Sequence, residues 1–188
     1  MNQIYKSFAA ATVALTAAVA LSACNDNRDC TFDGDAHTLA CPEKTYATVD
    51  MGGKVWMAEN LVVYVPDSSV CYGNDHANCD AMGRLYTWNA TNNGLCPNGW
   101  TLPSQDDYKN AFGTASTAEL RSANGFKMVL GGFRYYDGNF ADKGMSASFW
   151  TKDGFDDSRA FLVRVADSAV SYEHFNKSIA ASVRCVKE

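Results

Sequence analysis

Short apolar and aromatic segments, separated by Gly, Pro, Asn and Asp, follow one another along the chain after residue 44. Such segments are typical of β-strands in a half-buried sheet. Residues 45–58 predict a β-hairpin, because two alternating runs flank Gly52 and Gly53, a pair that tolerates the positive φ of a tight turn. Residues 66–83 predict a loop. Further strands are expected at 61–64, 85–88, 100–102, 126–130, 133–136, 148–151, 161–165, 170–175 and 182–186.

Two segments carry helix signals instead. Ser104 precedes residues 105–112 and is followed three residues later by Asp107, which together form a capping-box-like pair, and Gly113 ends the segment. A second short helix is predicted at 117–123, before Gly125. Two short helices among many short antiparallel strands predict a single α+β domain.

The N-terminus has a different pattern. Lys6 precedes a run at 8–21 in which only Thr12 and Thr16 are polar, and Leu21-Ser22-Ala23-Cys24 follows. A basic start, a short apolar run and a small-residue exit indicate a secretory signal peptide at 1–23, since a membrane span needs about 20 apolar residues. The quartet resembles the bacterial lipobox, which implies a lipid such as palmitate on Cys24. The alternative is an ordinary signal peptide with a chance cysteine.

The segment after Cys24 is polar and acidic. We expect residues 24–44 to be a tether between the lipid and a domain at 45–188. Asn25, where Asp would favour retention in the inner membrane, makes the outer membrane the expected location. Whether the domain faces the periplasm or the cell surface stays open.

Charge and cysteine content narrow the class of protein. The formal net charge is −5 and no basic run is longer than two residues, which argues against nucleic-acid binding. Lipidation of Cys24 leaves six of the seven cysteines, and an exported chain with six cysteines predicts three disulfides. Spacing favours Cys30–Cys41 and Cys71–Cys79, which leaves Cys96–Cys185, although other pairings are open.

Several motifs occur in a recognisable order: Val55-Trp56-Met57-Ala58-Glu59-Asn60-Leu61, Cys71-Tyr72, Gly83-Arg84-Leu85-Tyr86-Thr87-Trp88, Cys96-Pro97, Gly99-Trp100, Leu102-Pro103-Ser104 and Phe149-Trp150. Over residues 45–187 the chain resembles the Fibrobacter succinogenes major paralogous domain, a family of exported proteins and lipoproteins whose molecular function is largely unassigned.

A more distant likeness is to the C-type lectin-like fold, which also includes the formylglycine-generating enzymes. Cys96 and Cys185 match the cysteines that join the region of the first helix to the last strand in that fold. The sequence lacks the Glu-Pro-Asn, Gln-Pro-Asp and Trp-Asn-Asp triplets of the lectin calcium site, and Cys185 has no second cysteine beside it. Neither calcium-dependent sugar binding nor the formylglycine reaction is therefore expected.

Candidate sites are few. Tyr135, Tyr136, Phe140 and Phe155 lie in a Gly-rich region that corresponds to the long variable loop of lectin-like folds, and aromatic faces suit sugar rings. We therefore take these four as a candidate ligand-binding set, with core packing as the alternative. Four tryptophans are expected in the core: Trp56, Trp88, Trp100 and Trp150.

Catalysis and metal binding have weaker candidates. Glu59 is a carboxylate within a motif, but a glycosidase needs two carboxylates at a defined separation. His76 and Asp156 lie in polar loops without metal-site spacing. No catalytic residue, metal or cofactor is expected.

The resulting hypothesis is a lipid-anchored, extracytoplasmic binding or adhesion module without enzymatic activity, with polysaccharide as its ligand. The alternative is a structural or protein-partner module of the cell envelope. A hydrolase would require two convergent carboxylates with perturbed pKa values in one cleft.

Overall fold

The computed structural model describes residues 29–188 except residues 114, 124, 167 and 168. The predicted signal peptide and Cys24 lie outside the described residues. The strands are β1 (Thr31–Asp33), β2 (Thr38–Ala40), β3 (Thr45–Met51), β4 (Lys54–Met57), β5 (Ser69–Val70), β6 (Leu85–Thr87), β7 (Trp100–Thr101), β8 (Gly131–Arg134), β9 (Phe140–Lys143), β10 (Ser146–Gly154), β11 (Arg159–Ala166), β12 (Ala169–Asn176), β13 (Ala180–Ser182) and β14 (Val186–Lys187). The helices are α1 (His76–Met82), α2 (Trp88–Thr91), α3 (Gln105–Phe112) and α4 (Thr117–Arg121), with a 3-10 turn at Tyr72–Asn74.

The strands form two sheets. One has the order β1-β2-β3-β4-β14-β7, and the other has the order β12-β11-β10-β8-β13-β6-β5, with β9 added to β8. Pairings are antiparallel except where β10 meets β8 and β13. The prediction of many short, mainly antiparallel strands is therefore confirmed.

The hairpin predicted at 45–58 is confirmed as β3 and β4, with Met51 opposite Lys54. Gly52 and Gly53 have φ values of 58° and 77° in its turn. A Cβ on Gly52 would lie 2.6 Å from the backbone nitrogen of Ala111 in α3. Glycine is therefore required here both by the backbone conformation and by the close approach of the helix.

Both predicted helices exist, but the prediction of only two is wrong. Ser104 and Asp107 form a complete capping box at α3, and Ser116 and Glu119 do the same at α4, which ends at Arg121 rather than 123. Of two further helices, α1 lies in the segment predicted as a loop, and α2 starts at the last residue of the strand predicted at 85–88. Helix α1 is capped by the Asp75 side chain, and α2 begins at Trp88.

Three predicted strands differ in the structure. Residues 61–64 and 126–130 are not strands, and 182–186 divides into the end of β13 and the start of β14. Tertiary hydrogen bonds explain the first case, because the Leu61 N–H donates to the Val183 carbonyl and the Val62 N–H donates to the Tyr46 hydroxyl. These backbone groups are satisfied without a continuous ladder.

Ordered structure begins before residue 45, where the domain boundary was predicted. Strands β1 and β2 pair with each other, and β2 pairs with β3. Leu39 is fully buried. Residues 31–40 of the segment expected to be a tether thus contain two strands at the edge of the six-stranded sheet.

The three predicted disulfides are confirmed. Cys30 bonds to Cys41, Cys71 to Cys79, and Cys96 to Cys185. Disulfides form and persist in oxidising compartments, so they indicate a domain outside the cytoplasm. Within the described part of the chain, no helix is long and apolar enough to cross a membrane.

The apolar core has two parts. One lies around Trp88, Trp100 and Trp150, and the other around Trp56 and helix α3. All four tryptophans are buried, as predicted. Strand β11 contributes to both parts, because Leu162 and Val163 point to opposite faces of the sheet.

Candidate functional site

Asn60, in the first motif, lies at the centre of a buried polar network. Its amide nitrogen donates to the Met82 carbonyl at 2.8 Å and to the Ser182 hydroxyl at 3.2 Å. Its amide oxygen accepts from Nε of Arg184 at 2.7 Å. Gly83 packs against it so closely that a Cβ there would lie 2.5 Å from the Asn60 Cβ. The motifs at 55–61 and 83–88 therefore meet the C-terminal residues around one amide.

Arg184 completes this network and is fully buried. Nη1 donates to the Phe126 carbonyl, and Nη2 donates to the Lys127 carbonyl at 3.2 Å. The guanidinium carbon lies 4.0 Å from the centroid of the Phe126 ring and 5.5 Å from that of Phe149. Burial lowers the pKa of Arg184 to about 9, but the three acceptors and two rings favour the cation at neutral pH. The arrangement joins three segments of backbone in the core.

Glu59 is the motif carboxylate considered as a general acid. It accepts from Nζ of Lys44 at 2.8 Å and from the Ala47 N–H at 2.9 Å. Partial burial by itself would raise the pKa of Glu59, but these two hydrogen bonds outweigh it and hold the pKa below its ordinary value. A general acid must carry a proton near the working pH. The surroundings of Glu59 instead favour the ionised form in a structural ion pair.

The four residues of the candidate ligand-binding set do not form one site. Tyr135 packs edge-on against Phe133, with ring centroids 4.6 Å apart. Phe140 lies on the other face of the β8–β9 ribbon and contacts Tyr72 at 5.0 Å. Tyr136 is the most exposed of the four, at 72%. The alternation of side chains along β8 and β9 separates these rings.

Phe155 lies on another surface. Its ring stacks on His174 at 4.0 Å and contacts Phe161 edge-on at 5.3 Å. Phe161 is next to Leu162 in β11, and Leu162 lines a cavity together with Tyr135. Since neighbouring residues of a strand point to opposite faces, Phe155 and Tyr135 lie on opposite sides of the eight-stranded sheet.

The cavity beside Tyr135 has a volume of about 90 Å³. Its floor contains an ion pair that the sequence did not reveal: Nη2 of Arg164 donates to Oδ2 of Asp142 at 2.5 Å. Nε of Arg164 donates to the Ser146 hydroxyl at 3.3 Å. The lining residues are Phe133, Tyr135, Asp142, Ser148, Leu162, Arg164, Phe175 and Ile179.

The cavity thus combines aromatic rings, a hydroxyl and a charged pair in one small space. Asp142 and Arg164 are 22 residues apart, and only the pairing of β9, β8, β10 and β11 brings them together. The one sequence signal was the alternation of apolar and polar residues along β11, which places Arg164 on the same face as Leu162.

The carboxylates of the acidic segments already bond to other groups of this chain. Asp156 accepts from Nε of Arg159 at 2.7 Å and from the Ser158 N–H at 2.9 Å. Asp107 pairs with Lys54 at 2.8 Å. His76 is exposed at the start of α1. Over the described residues, no group of three or more His, Cys, Asp or Glu side chains is arranged to hold a metal ion.

Most of the motifs noted above lie between the end of β3 and α4. Residues 49–120 match the model of the Fibrobacter succinogenes major domain. This part of the chain is therefore similar to that family. The family resemblance found in the sequence is therefore confirmed over these residues, while its extension to residue 187 stays a prediction. No curated protein and no solved structure matches the chain significantly.

The matched part of the Fibrobacter succinogenes major domain does not contain all of the Asn60 network. Asn60 and Gly83 lie within 49–120, but Arg184 and Ser182 come from the end of the chain. The residues of the Tyr135 cavity also lie beyond residue 120. The family match therefore covers the Asn60 and Gly83 part of the polar network and none of the cavity.

Proposed function

We propose that this chain is an extracytoplasmic binding module, held to the outer membrane by a lipid on Cys24, that binds sugar-containing polymers without catalysing a reaction. The cavity beside Tyr135 carries this proposal. It offers apolar ring surface from Phe133, Tyr135 and Phe175, and polar groups from Ser148 and the Asp142–Arg164 pair. Sugar rings need both kinds of contact, since they have C–H faces and hydroxyl groups.

The size and position of the cavity define how a polymer would bind. A volume of about 90 Å³ accommodates part of one sugar unit, such as a substituent, and not a whole chain. Tyr135 is 41% exposed, so it extends the aromatic surface from the cavity to the solvent. A polymer would lie across Tyr135 and insert one group beside Arg164.

We also propose that the fold is C-type lectin-like. Two features support it. Strand β14, near the C-terminus, pairs with both β4 and β7. The Cys96–Cys185 disulfide joins the segment before α3 to the residue before β14. Together they close one loop of chain inside a larger one.

Retention of the purified full-length protein on immobilised plant and bacterial polysaccharides, with and without EDTA, tests the binding proposal. We expect EDTA-insensitive retention on at least one polymer, and its loss in Tyr135→Ala. Phe155→Ala is the matched control, because Phe155 is similarly exposed, at 45%, but lies on the opposite face of the sheet.

Three results would contradict the proposal in different ways. Retention that EDTA abolishes would indicate a cation-dependent site. Equal loss in both variants would show that the aromatic residues act through stability and not through contact. No retention on any polymer would instead favour the alternative, a module that binds an envelope protein. Mass spectrometry of the N-terminal peptide tests the anchor independently, since lipidation predicts the added mass of acyl chains on Cys24.

A further inference from the structure

An open groove lies at the β5–β6 edge of the eight-stranded sheet, away from the Tyr135 cavity. Its volume is about 460 Å³, which is within the usual range for small-molecule sites of roughly 300–1,000 Å³. The described residues that line it are Tyr64, Ser69, Val70, Cys71, Asn74, His76 and Arg84. None of these is acidic, although the chain as a whole has a net charge of −5.

Arg84 is held in place but has no carboxylate partner among the described residues. Its backbone N–H donates to the Leu61 carbonyl at 2.9 Å, and its Nε donates to the Val62 carbonyl at 3.1 Å. Two other arginines differ, because Arg159 pairs with Asp156 at 2.6 Å and Arg164 pairs with Asp142 at 2.5 Å. The terminal nitrogens of Arg84 therefore remain available to an external anion.

Tyr64 supplies the second half of the site. The Arg84 guanidinium carbon lies 5.0 Å from the centroid of the Tyr64 ring. The ring is nonetheless 63% exposed, so most of its surface is open to a ligand. A tyrosine this exposed contributes little to folding, whereas its ring surface suits the C–H face of a sugar.

The groove is also preorganised. The Ser69 hydroxyl accepts from the Val65 N–H at 2.8 Å and donates to the Val65 carbonyl at 3.0 Å. Cys71 is bonded to Cys79 in α1. The nearby carboxylate of Asp75 accepts from the Ala77 N–H at the start of that helix and does not line the groove. A rigid site loses less entropy when a ligand binds.

We propose that this groove binds a carboxylated sugar unit of an acidic polysaccharide. Arg84 would bind the sugar carboxylate through its two terminal nitrogens, a geometry that suits guanidinium better than ammonium. Tyr64 would stack on the ring of the same unit, and His76 and Asn74 are placed to contact its hydroxyl groups. This site goes beyond the function proposed for the Tyr135 cavity, since it shares no residue with it.

Titration of the full-length protein with polygalacturonate tests the inference, and fully methyl-esterified polygalacturonate serves as the matched ligand without charge. We expect the acid form to bind about tenfold or more tightly than the ester, and Arg84→Gln to remove that preference. Tyr64→Ala should weaken both forms, because the ring contact does not depend on the carboxylate. Arg121→Gln, an exposed arginine in α4, should change neither.

Several outcomes would overturn the inference. Equal affinity for the acid and the ester, or unchanged binding in Arg84→Gln, would rule out carboxylate recognition here. An equal loss in Arg121→Gln would show a general charge effect. No binding of either polymer would also reject the site for this ligand class. Because Tyr135→Ala leaves the groove intact, acid-form binding that survives in this variant would separate a failure of the cavity from a failure of the groove.

Discussion

Two arginines of this chain both stack on aromatic rings, yet they belong to opposite kinds of region. Arg184 lies in the core, where its guanidinium is fully buried against Phe126 and bonded to the Asn60 side chain. Arg84 lies in the open groove, where its guanidinium stacks on the exposed ring of Tyr64. An arginine stacked on an aromatic ring is therefore part of the buried core in one region and part of an open surface in the other.

The two guanidinium groups differ in how many of their N–H donors bond to groups of the protein itself. Arg184 donates through Nε, Nη1 and Nη2, all to groups of the protein itself. Arg84 donates to the protein through Nε and its backbone N–H. A cation whose donors are consumed internally contributes to the fold, and one with donors left over can contribute to recognition. Substitutions in the core should therefore change stability, and substitutions in the groove should change binding.

The largest effect is expected from the disulfide next to Arg184. Cys96 and Cys185 are 89 residues apart, and removing a bridge that closes so long a loop should lower the free energy of unfolding by about 4–5 kcal/mol on the chain-entropy model. Urea denaturation of Cys96→Ala/Cys185→Ala measures this change.

The short disulfide at the groove gives the matched comparison. Cys71 and Cys79 are 8 residues apart, so the same model predicts a smaller loss for Cys71→Ala/Cys79→Ala, about 2–3 kcal/mol. This variant should also weaken polygalacturonate binding, because the groove loses a covalent constraint. Equal losses of stability in the two double variants would show that loop length does not set the contribution of these two bridges.

The second effect in size concerns Arg184 itself. Arg184→Met should lower the free energy of unfolding by about 3 kcal/mol, because the Phe126 carbonyl, the Lys127 carbonyl and the Asn60 amide oxygen lose their donor in the core. Urea denaturation followed by tryptophan fluorescence measures the loss. Arg84→Met is the matched control, and there we expect a change below about 0.5 kcal/mol. A similar loss in both variants would mean that Arg84 is also structural.

Arg184 also explains why part of the fold was not predictable from the sequence. Residues 126–130 form a short, mainly apolar run that contains Phe126, which is typical of a strand. In the structure, the carbonyls of Phe126 and Lys127 bind Arg184 instead of a neighbouring strand, and Lys127 has a φ of 47°. Local pattern contains no information about a guanidinium that is more than 50 residues away.

Features governed by neighbouring residues were predictable. The Ser104–Asp107 capping box and the Gly52-Gly53 turn follow local rules, and both are present. The two short disulfides followed from spacing, and the third followed by exclusion. Helix α1 was not predicted, although Asp75 is a recognisable N-cap residue. The seven residues of this helix do not show the spacing of apolar residues that indicates an amphipathic helix.

The candidate sites depended on register, which the sequence does not provide. Tyr135, Phe140 and Phe155 are close in the chain but point to three different surroundings. Tyr64 and Arg84 are 20 residues apart in the numbering, and they meet where Arg84 bonds to the carbonyls of Leu61 and Val62. Arg84 was part of the motif Gly83-Arg84, but the sequence did not indicate which aromatic ring this arginine would contact.

The smallest effect is expected at Glu59, whose environment is intermediate between core and groove. Its side chain and that of Lys44 are 32% and 30% exposed. Hydrogen bonds from Lys44 and the Ala47 N–H lower the pKa of Glu59 against the opposing effect of burial. A carboxyl whose pKa is lower in the folded state stabilises the protein above its ordinary pKa and loses that contribution as the pH falls through the folded value.

The unfolding free energies of the wild-type protein and Glu59→Gln should therefore differ more at about pH 6 than at about pH 3. Lys44→Met should reduce the same difference at the higher pH, because it removes one of the two partners that favour the ionised carboxylate. Urea denaturation of the three proteins at both pH values measures these changes. If wild type and Glu59→Gln differ equally in stability at both pH values, Glu59 acts through packing and not through its charge. Glu59 would then resemble the core residues, and its ion pair with Lys44 would contribute little.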